Sequence, residues 1–431
     1  MNAVRIRLDA TKVSNAHHIL QSWEELADSA SMKTLAMVSN ELARLNNAYS
    51  SLSDGIHNRP DPLEIFNQVE MRTELLDQLR SKRFPSLRRQ VIALSTALIS
   101  PTNSQNDPLS KLTLVLKVLS KLDVTLGKIK FAIACINPSL DPEEVTHDKD
   151  FKKAKQLICC RLGIIVDLVT GYVCELLRVS CRFIEDSGHA FAIDQPQKRA
   201  KVLTITDTFS VSLDRALQFM NKSESDFMKD AWRSHMESID GSLKKFLEFL
   251  HRLAPRSKNG RRSAGNPLAA HAGVRRGNAR SNIAQLSHQP QTTKSAIALI
   301  KLTRLFLAKL SKMSTDKEHF RVVTELNSRE LSIFAGLTTM VSGCIEKLVE
   351  GLCGVIGGDD FEDIMTVHGS ISRLQTAPKM ITTIVNHIFV PVVNQADQPS
   401  HKMYYKAWFY QWNRLHQLAA ENFLDAFMFN T

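Results

Sequence analysis

Apolar side chains recur along this chain at intervals of three and four residues. Leu35, Val38, Leu42, Leu45, Tyr49 and Leu52 step by 3, 4, 3, 4, 3, and Leu112, Val115, Leu119, Leu122, Leu126 and Ile129 repeat those steps. Such spacing returns each apolar residue to one side of an α-helix and leaves the other side polar, the pattern of helices that bury one face in a bundle. A third stripe, Met228, Trp232, Met236, Ile239, Leu243, Phe246 and Leu250, follows Ser223, with Asp226 placed three residues on to complete a helix cap. Prolines mark the breaks: Pro60, Pro62, Pro85, Pro101, Pro108, Pro138, Pro142, Pro196, Pro378, Pro391 and Pro399. Between them the pattern predicts helices over 14–29, 32–53, 62–82, 86–99, 109–135, 149–187, 203–221, 224–251, 293–313, 326–351, 360–375, 378–394 and 401–428. No strict alternation of useful length predicts a strand, and no signature of a solenoid repeat is present. The expected fold is all-α, a multi-helix bundle.

Composition agrees with that expectation. Gly and Pro number 17 and 14 in 431 residues, and Gly260, Gly265, Gly273, Gly277, Pro255 and Pro267 all fall in one stretch, so the rest is poor in residues that punctuate β-turns. The charge is just as local. Between Phe249 and Thr315 there is no Asp or Glu, but there are thirteen basic side chains: Arg252, Arg256, Lys258, Arg261, Arg262, Arg275, Arg276, Arg280, Lys294, Lys301, Arg304, Lys309 and Lys312. Without them the chain carries 42 basic against 44 acidic side chains. The expected organisation is an N-terminal helical region (1–252), a basic disordered linker rich in Gly, Ser, Asn and Arg (253–292), and a C-terminal helical region (293–431).

Three features hold candidate chemistry. Arg256, Lys258, Arg261, Arg262, Arg275, Arg276 and Arg280 of the linker are a candidate contact for nucleic-acid phosphates or for an import receptor, with a solvated loop as the alternative. No aromatic residue lies among them, so base recognition there is not expected. On the helix that follows, Lys294, Lys301 and Lys312 share one line, flanked by Arg304 and Lys309, with Leu299, Leu302, Phe306, Leu310 and Met313 opposite. Such a helix lies on a membrane surface, is gripped by a partner, or packs its apolar face into its own bundle. Near the C-terminus Tyr404, Tyr405, Trp408, Phe409, Tyr410 and Trp412 crowd into nine positions. Tyr405, Trp408 and Trp412 share a face with Leu415, which predicts a core helix anchored by tryptophans, while Phe409 and Tyr410 on other faces are candidates for an interaction surface.

No residue is assigned to catalysis, to a cofactor or to a metal. Gly351, Gly354, Gly357 and Gly358 are followed by Asp359 and Asp360 rather than by Lys-Ser, so a helix stop, a turn and a cap explain them better than a phosphate loop. The acidic run Asp141, Glu143, Glu144, Asp148 and Asp150 lacks the order of a calcium loop. His17 with His18 and Cys159 with Cys160 are adjacent pairs, which do not converge on zinc. The seven cysteines read as reduced packing residues. With no signal-peptide core at the start and no uncharged apolar run of membrane length, an intracellular protein, cytoplasmic or nuclear, is expected.

The segments FPSLRRQVIALSTAL, LSKLTLVLKVLSKLDVTLGKIKFAIA, SAIALIKLTRLFLAKLSKM, MITTIVNHIFVPVVNQADQP and YYKAWFYQWNRLHQLAAENFLDAF resemble an expanded set of uncharacterised helical proteins of rust fungi. The resemblance spans most of the chain apart from the basic stretch. It implies a helical fold and a lineage, and no activity. The expected function is protein interaction or scaffolding without enzymatic activity. A nucleic-acid-associated protein using the basic stretch is the alternative, and a helical enzyme without a recognisable motif the second.

Overall fold

A computed structural model describes residues 29–52, 61–99, 108–187, 196–253, 289–316, 320–322, 326–354, 360–391 and 401–428. The chain divides into two units, Met1–Lys222 and Ser223–Thr431. The first contains α1 (29–49), α2 (Pro62–Asn67), α3 (Val69–Gln78), α4 (Phe84–Ile99), α5 (Pro108–Ile136), α6 (Gln156–Ser187) and α7 (Pro196–Asn221). The second contains α8 (Glu224–Leu253), α9 (Pro290–Thr315), α10 (Ser328–Leu352), α11 (Asp360–Ile388) and α12 (His401–Met428). The protein is all-α; among the described residues the exception is a three-residue antiparallel ladder of β1 (Phe320–Val322) with β2 (Phe389–Pro391). That ladder takes the end of the segment expected to be helical to 394, where Val390 and Pro391 favour extended backbone over helix.

In the first unit the sequence stripes become the core. Val38, Leu42 and Leu45 of α1 are fully buried, as are Val115, Leu119, Leu122, Leu126 and Ile129 of α5. They join α4, α6 and α7 in a single apolar cluster. Each such side chain stabilises the fold by about 1.5–3 kcal/mol relative to exposure. The polar sides of α1 and α5 are tied as well: Asp123 accepts hydrogen bonds from Tyr49 Oη at 2.7 Å and from Arg44 Nη2 at 2.7 Å. The ends of α5 and α6 are closed by a buried polar knot. Arg72 donates to the Ile136 carbonyl (2.8 Å) and to Gln156 Oε1 (3.3 Å), and its guanidinium lies 4.9 Å from the Phe66 ring centre. Gln156 in turn donates from Nε2 to Asn137 Oδ1 (2.9 Å), and its backbone N–H donates to Asp148 Oδ2 (2.8 Å). A last-turn carbonyl of one helix and a first-turn N–H of the next thus find partners away from water.

Prolines behave differently from the simple expectation of a break. At Pro85 the chain passes through a π-helical turn, Leu79–Arg83, in which the Phe84 N–H reaches back to the Leu79 carbonyl, so α3 and α4 are joined rather than separated. Widening the turn accommodates a ring that has no N–H to donate and that crowds the preceding turn. Pro378 lies inside continuous α11. Buried Leu374, Ala377, Ile381 and Val385 on either side hold that helix against the roughly 3 kcal/mol cost of an internal proline. Pro196 opens α7 at its first position, where proline fits, and the helix begins before the expected residue 203.

The boundary between units also differs from the expected division at 252. It falls at Lys222/Ser223, because α8 packs along α9 and α10 and thereby belongs with the C-terminal helices. Residues 254–288, which hold much of the basic stretch, lie outside the described residues. Ser223 and Asp226 form the expected reciprocal cap: the Asp226 N–H donates to Ser223 Oγ (3.2 Å) and the Ser223 N–H to Asp226 Oδ2 (3.3 Å). Two stretches, Lys149–Asp186 and Ser328–Leu352, are long and apolar enough to cross a membrane by length and composition, although Asp167 and Glu175 interrupt the first. About half of each apolar window is buried against neighbouring helices.

At the α10–α11 turn the glycines serve the helix ends. Gly354 has φ 65°, and its N–H donates to the Gly351 carbonyl (3.0 Å). Gly351 lets α11 approach closely: a Cβ there would stand 2.7 Å from Val367 Cγ2 and 3.2 Å from the Asp363 carbonyl oxygen. Gly357, Gly358 and Asp359 lie outside the described residues, as do His17 and His18 and nearly all of the expected helix 14–29.

Candidate functional site

Helices α9 and α12 pack together and share an unusual charge pattern. Over 290–315 and 401–420 they contain Lys294, Lys301, Arg304, Lys309, Lys312, Lys402, Lys406 and Arg414, and no Asp or Glu. The apolar face expected of α9 is in the core: Leu299, Phe306, Leu310 and Met313 are buried, and Leu302 is half-buried. Lys294, Lys301 and Lys312 are left exposed on the opposite side. Arg304 pairs with Asp240 of α8. Among the described residues no carboxylate pairs with Lys294, Lys301, Lys309, Lys312 or Lys406.

The aromatic residues of α12 divide into two groups. Trp412 is buried, stacks on Phe306 with ring centres 4.3 Å apart, and donates its indole N–H to the Leu302 carbonyl at 2.8 Å. Phe409 is buried edge-on against the same Phe306. His416, Ala420, Phe423 and Phe427 continue this inner face. The expected core face is therefore rotated: Phe409 points inward, whereas Leu415 is 48% exposed. The cause is that α12 packs against both α9 and α11, so its buried arc spans two neighbours. Trp408 and Tyr405 lie half-buried at the edge, and Tyr404 is 64% exposed.

Lys309 joins these edge residues. Its ammonium nitrogen lies 4.4 Å from the ring centre of Tyr405, 5.2 Å from Trp408 and 5.5 Å from Tyr404. Negative ring faces stand where a carboxylate would otherwise be needed. Burial and the neighbouring Lys312 charge both push the Lys309 ammonium below the usual lysine range. Burial raises the Tyr405 phenol, with the Asp316 charge and Tyr404 adding to the shift. The result is a partly desolvated cation in an aromatic setting, beside a second cation. Arrangements of this kind attract anionic groups. Sequence reasoning named Tyr405, Trp408, Phe409 and Trp412 and placed Lys309 at the flank of a basic stripe, but it missed Tyr404 as part of one cluster with Lys309. Only the pairing of two helices distant in the chain brings them together.

Other groups offer less. Ser238 of α8 donates to Glu346 of α10, while the ring of His235 meets Thr339 Oγ1 at 3.4 Å. With its hydroxyl directed to the carboxylate, the serine is not paired with the histidine as an activated nucleophile requires. Burial pushes the thiols of Cys159, Cys174 and Cys353 up to about 11, which favours the unreactive protonated form. No cluster of three or more metal-ligating His, Cys, Asp or Glu occurs among the described residues. An open groove of about 390 Å³ in the first unit, beside the π-helical turn, is lined by Leu75, Leu79, Arg83, Val124, Lys128 and Phe131 among others. Arg256, Lys258, Arg261, Arg262, Arg275, Arg276 and Arg280 lie outside the described residues.

Residues 72–221 match one family model, a domain of unknown function (DUF8723), and residues 223–425 match another, a domain of unknown function (DUF8721). The two matches meet where the structure divides, so α8 belongs with the C-terminal helices by both criteria. These similarities agree with an uncharacterised helical family and name no substrate. No curated protein and no solved structure matches the chain.

Proposed function

We propose that the protein is a non-enzymatic helical binding protein, an interaction or scaffold component, whose contact surface is the outer side of the α9–α12 pair. One observation carries this: Lys309 held among Tyr404, Tyr405 and Trp408 at the edge of a helix pair with no acidic residue over 290–315 and 401–420. Tyrosine and tryptophan give rigid contact area at little entropic cost, and uncompensated lysines favour a partner of opposite charge. The test is affinity capture from native lysate, with and without nuclease, comparing the full chain with its Lys301→Glu/Lys312→Glu variant. Both positions are exposed, so the variant keeps its helical circular dichroism. Loss of the captured partners supports this assignment; an unchanged set contradicts it.

A second reading is favoured by the run of thirteen basic residues without an acid between Phe249 and Thr315: the stretch 252–280 contacts phosphates or serves as a nuclear address. Replacing Arg261, Arg262, Arg275, Arg276 and Arg280 by Gln removes nucleic-acid binding in the first case. In the second, a reporter fused to residues 252–282 enters the nucleus. Residence in the cytoplasm or nucleus and descent from the rust-fungal helical family are part of the same proposal, the latter resting on the helix segments quoted above.

A further inference from the structure

We infer that the α9–α12 face binds single-stranded nucleic acid, with backbone phosphates on Lys301, Lys309 and Lys312 and an unpaired base on the exposed ring of Tyr404. The inference rests on the assignment of that face as the contact surface and names the partner.

Four observations favour this partner over an acidic protein. First, the positive charge is extended: Lys294 to Lys312 spans about 27 Å of helix at 1.5 Å per residue, the shape of a track for a polymer with a charge on every unit. Secondly, the exposed charges along α9 are lysines, a residue depleted from protein–protein interfaces, and its one arginine, Arg304, is already engaged by Asp240. Thirdly, aromatic rings stand at the end of that track. Tyr404 meets Tyr405 nearly edge-on, ring planes at 84°, and is 64% exposed, so a face of its ring is open to a flat partner. Finally, Lys309 and Lys312 stand close together with no carboxylate paired to either among the described residues, so a phosphate near both relieves their mutual repulsion. Duplexes keep their bases stacked and paired, so a ring offered at the surface is useful only to a single strand. The negative charge of Asp316, just beyond α9, acts on Tyr405, and it limits how far the strand extends past Tyr404.

The test measures fluorescence anisotropy of a labelled oligouridine about 15 nucleotides long against the full chain over a range of salt concentration. Binding by the wild type is expected, with log K falling linearly as log salt rises. Lys301→Gln with Lys312→Gln should flatten the slope by about 1.4, since each single-strand phosphate contact contributes about 0.7. Tyr404→Ala should weaken binding roughly tenfold, whereas Tyr404→Phe, which keeps the ring, retains it. A variant with Arg261, Arg262, Arg275, Arg276 and Arg280 replaced by Gln keeps the Tyr404 effect. Absence of oligouridine binding at low salt overturns the inference, as does binding indifferent to Tyr404 and to both lysines. Polyglutamate is measured alongside. If it binds, loses affinity in the lysine variant, and oligouridine does not bind, the partner is an acidic protein: the inference falls and the contact surface stands. If neither polyanion responds to the lysine substitutions, both fall.

Discussion

The Nε2 of His416 lies 3.2 Å from Thr303 Oγ1, deep in the seam between α12 and α9. The threonine hydroxyl donates to the Leu299 carbonyl at 2.9 Å, so it accepts from the histidine, which fixes the neutral tautomer protonated at Nε2. Burial pushes His416 down from 6.5 to about 4.

That relationship gives the second unit a pH dependence. Because the folded value is depressed, the unfolded chain takes up the proton first as pH falls. Stability is therefore fully present above about pH 6.5 and is lost progressively from there down to about 4, by on the order of 3 kcal/mol. Urea denaturation followed by tryptophan fluorescence measures it. His416→Gln, which can still donate to Thr303, should flatten the dependence across this window; an unchanged slope assigns it to other groups.

The close approach at Gly351 predicts a steric effect of specific sign. Gly351→Ala places a methyl 2.7 Å from Val367 Cγ2, which destabilises the fold by about 1–3 kcal/mol even though alanine is the better helix former. Val367→Ala in the same chain should recover part of the loss. Additive losses in the double variant would show that the two side chains do not meet.

Arg72 is buried without exposure and binds the carbonyl that ends α5. Replacing it by Ala leaves buried acceptors without a donor and should cost about 3–5 kcal/mol, read as a lower urea midpoint of the first unit. Arg72→Lys should recover little, since a single ammonium cannot reproduce the guanidinium fork toward the Ile136 carbonyl and Gln156. Full recovery by Lys would mean that charge, rather than the fork, is what the site requires.

The helices were legible because burial in a bundle imposes a period: the stripes from Leu112 to Ile129 and from Met228 to Phe246 both mark core faces. Less legible was anything decided by a neighbour. Whether Pro378 breaks a helix depends on what covers Leu374 and Ile381, and a wheel drawn for α12 cannot know that α9 and α11 both cover it. The basic stretch drew a domain border to itself, although the border is set by α8 and its partners. The candidate site was half visible, as lysines on one helix and aromatics on another more than ninety residues away. Their union at Lys309 is a tertiary fact, with no local signal beyond the lack of acids in both segments.

Amine-reactive footprinting read by mass spectrometry tests the central claim most directly. The full chain is labelled free and in the complex recovered from native lysate. If the α9–α12 face is the contact surface, Lys301, Lys312 and Lys406 lose reactivity in the complex, while exposed Lys82 and Lys128 of the first unit keep theirs. Protection of Lys82 and Lys128, with Lys301, Lys312 and Lys406 as reactive as in the free protein, contradicts the claim and moves the contact to the groove beside the π-helical turn.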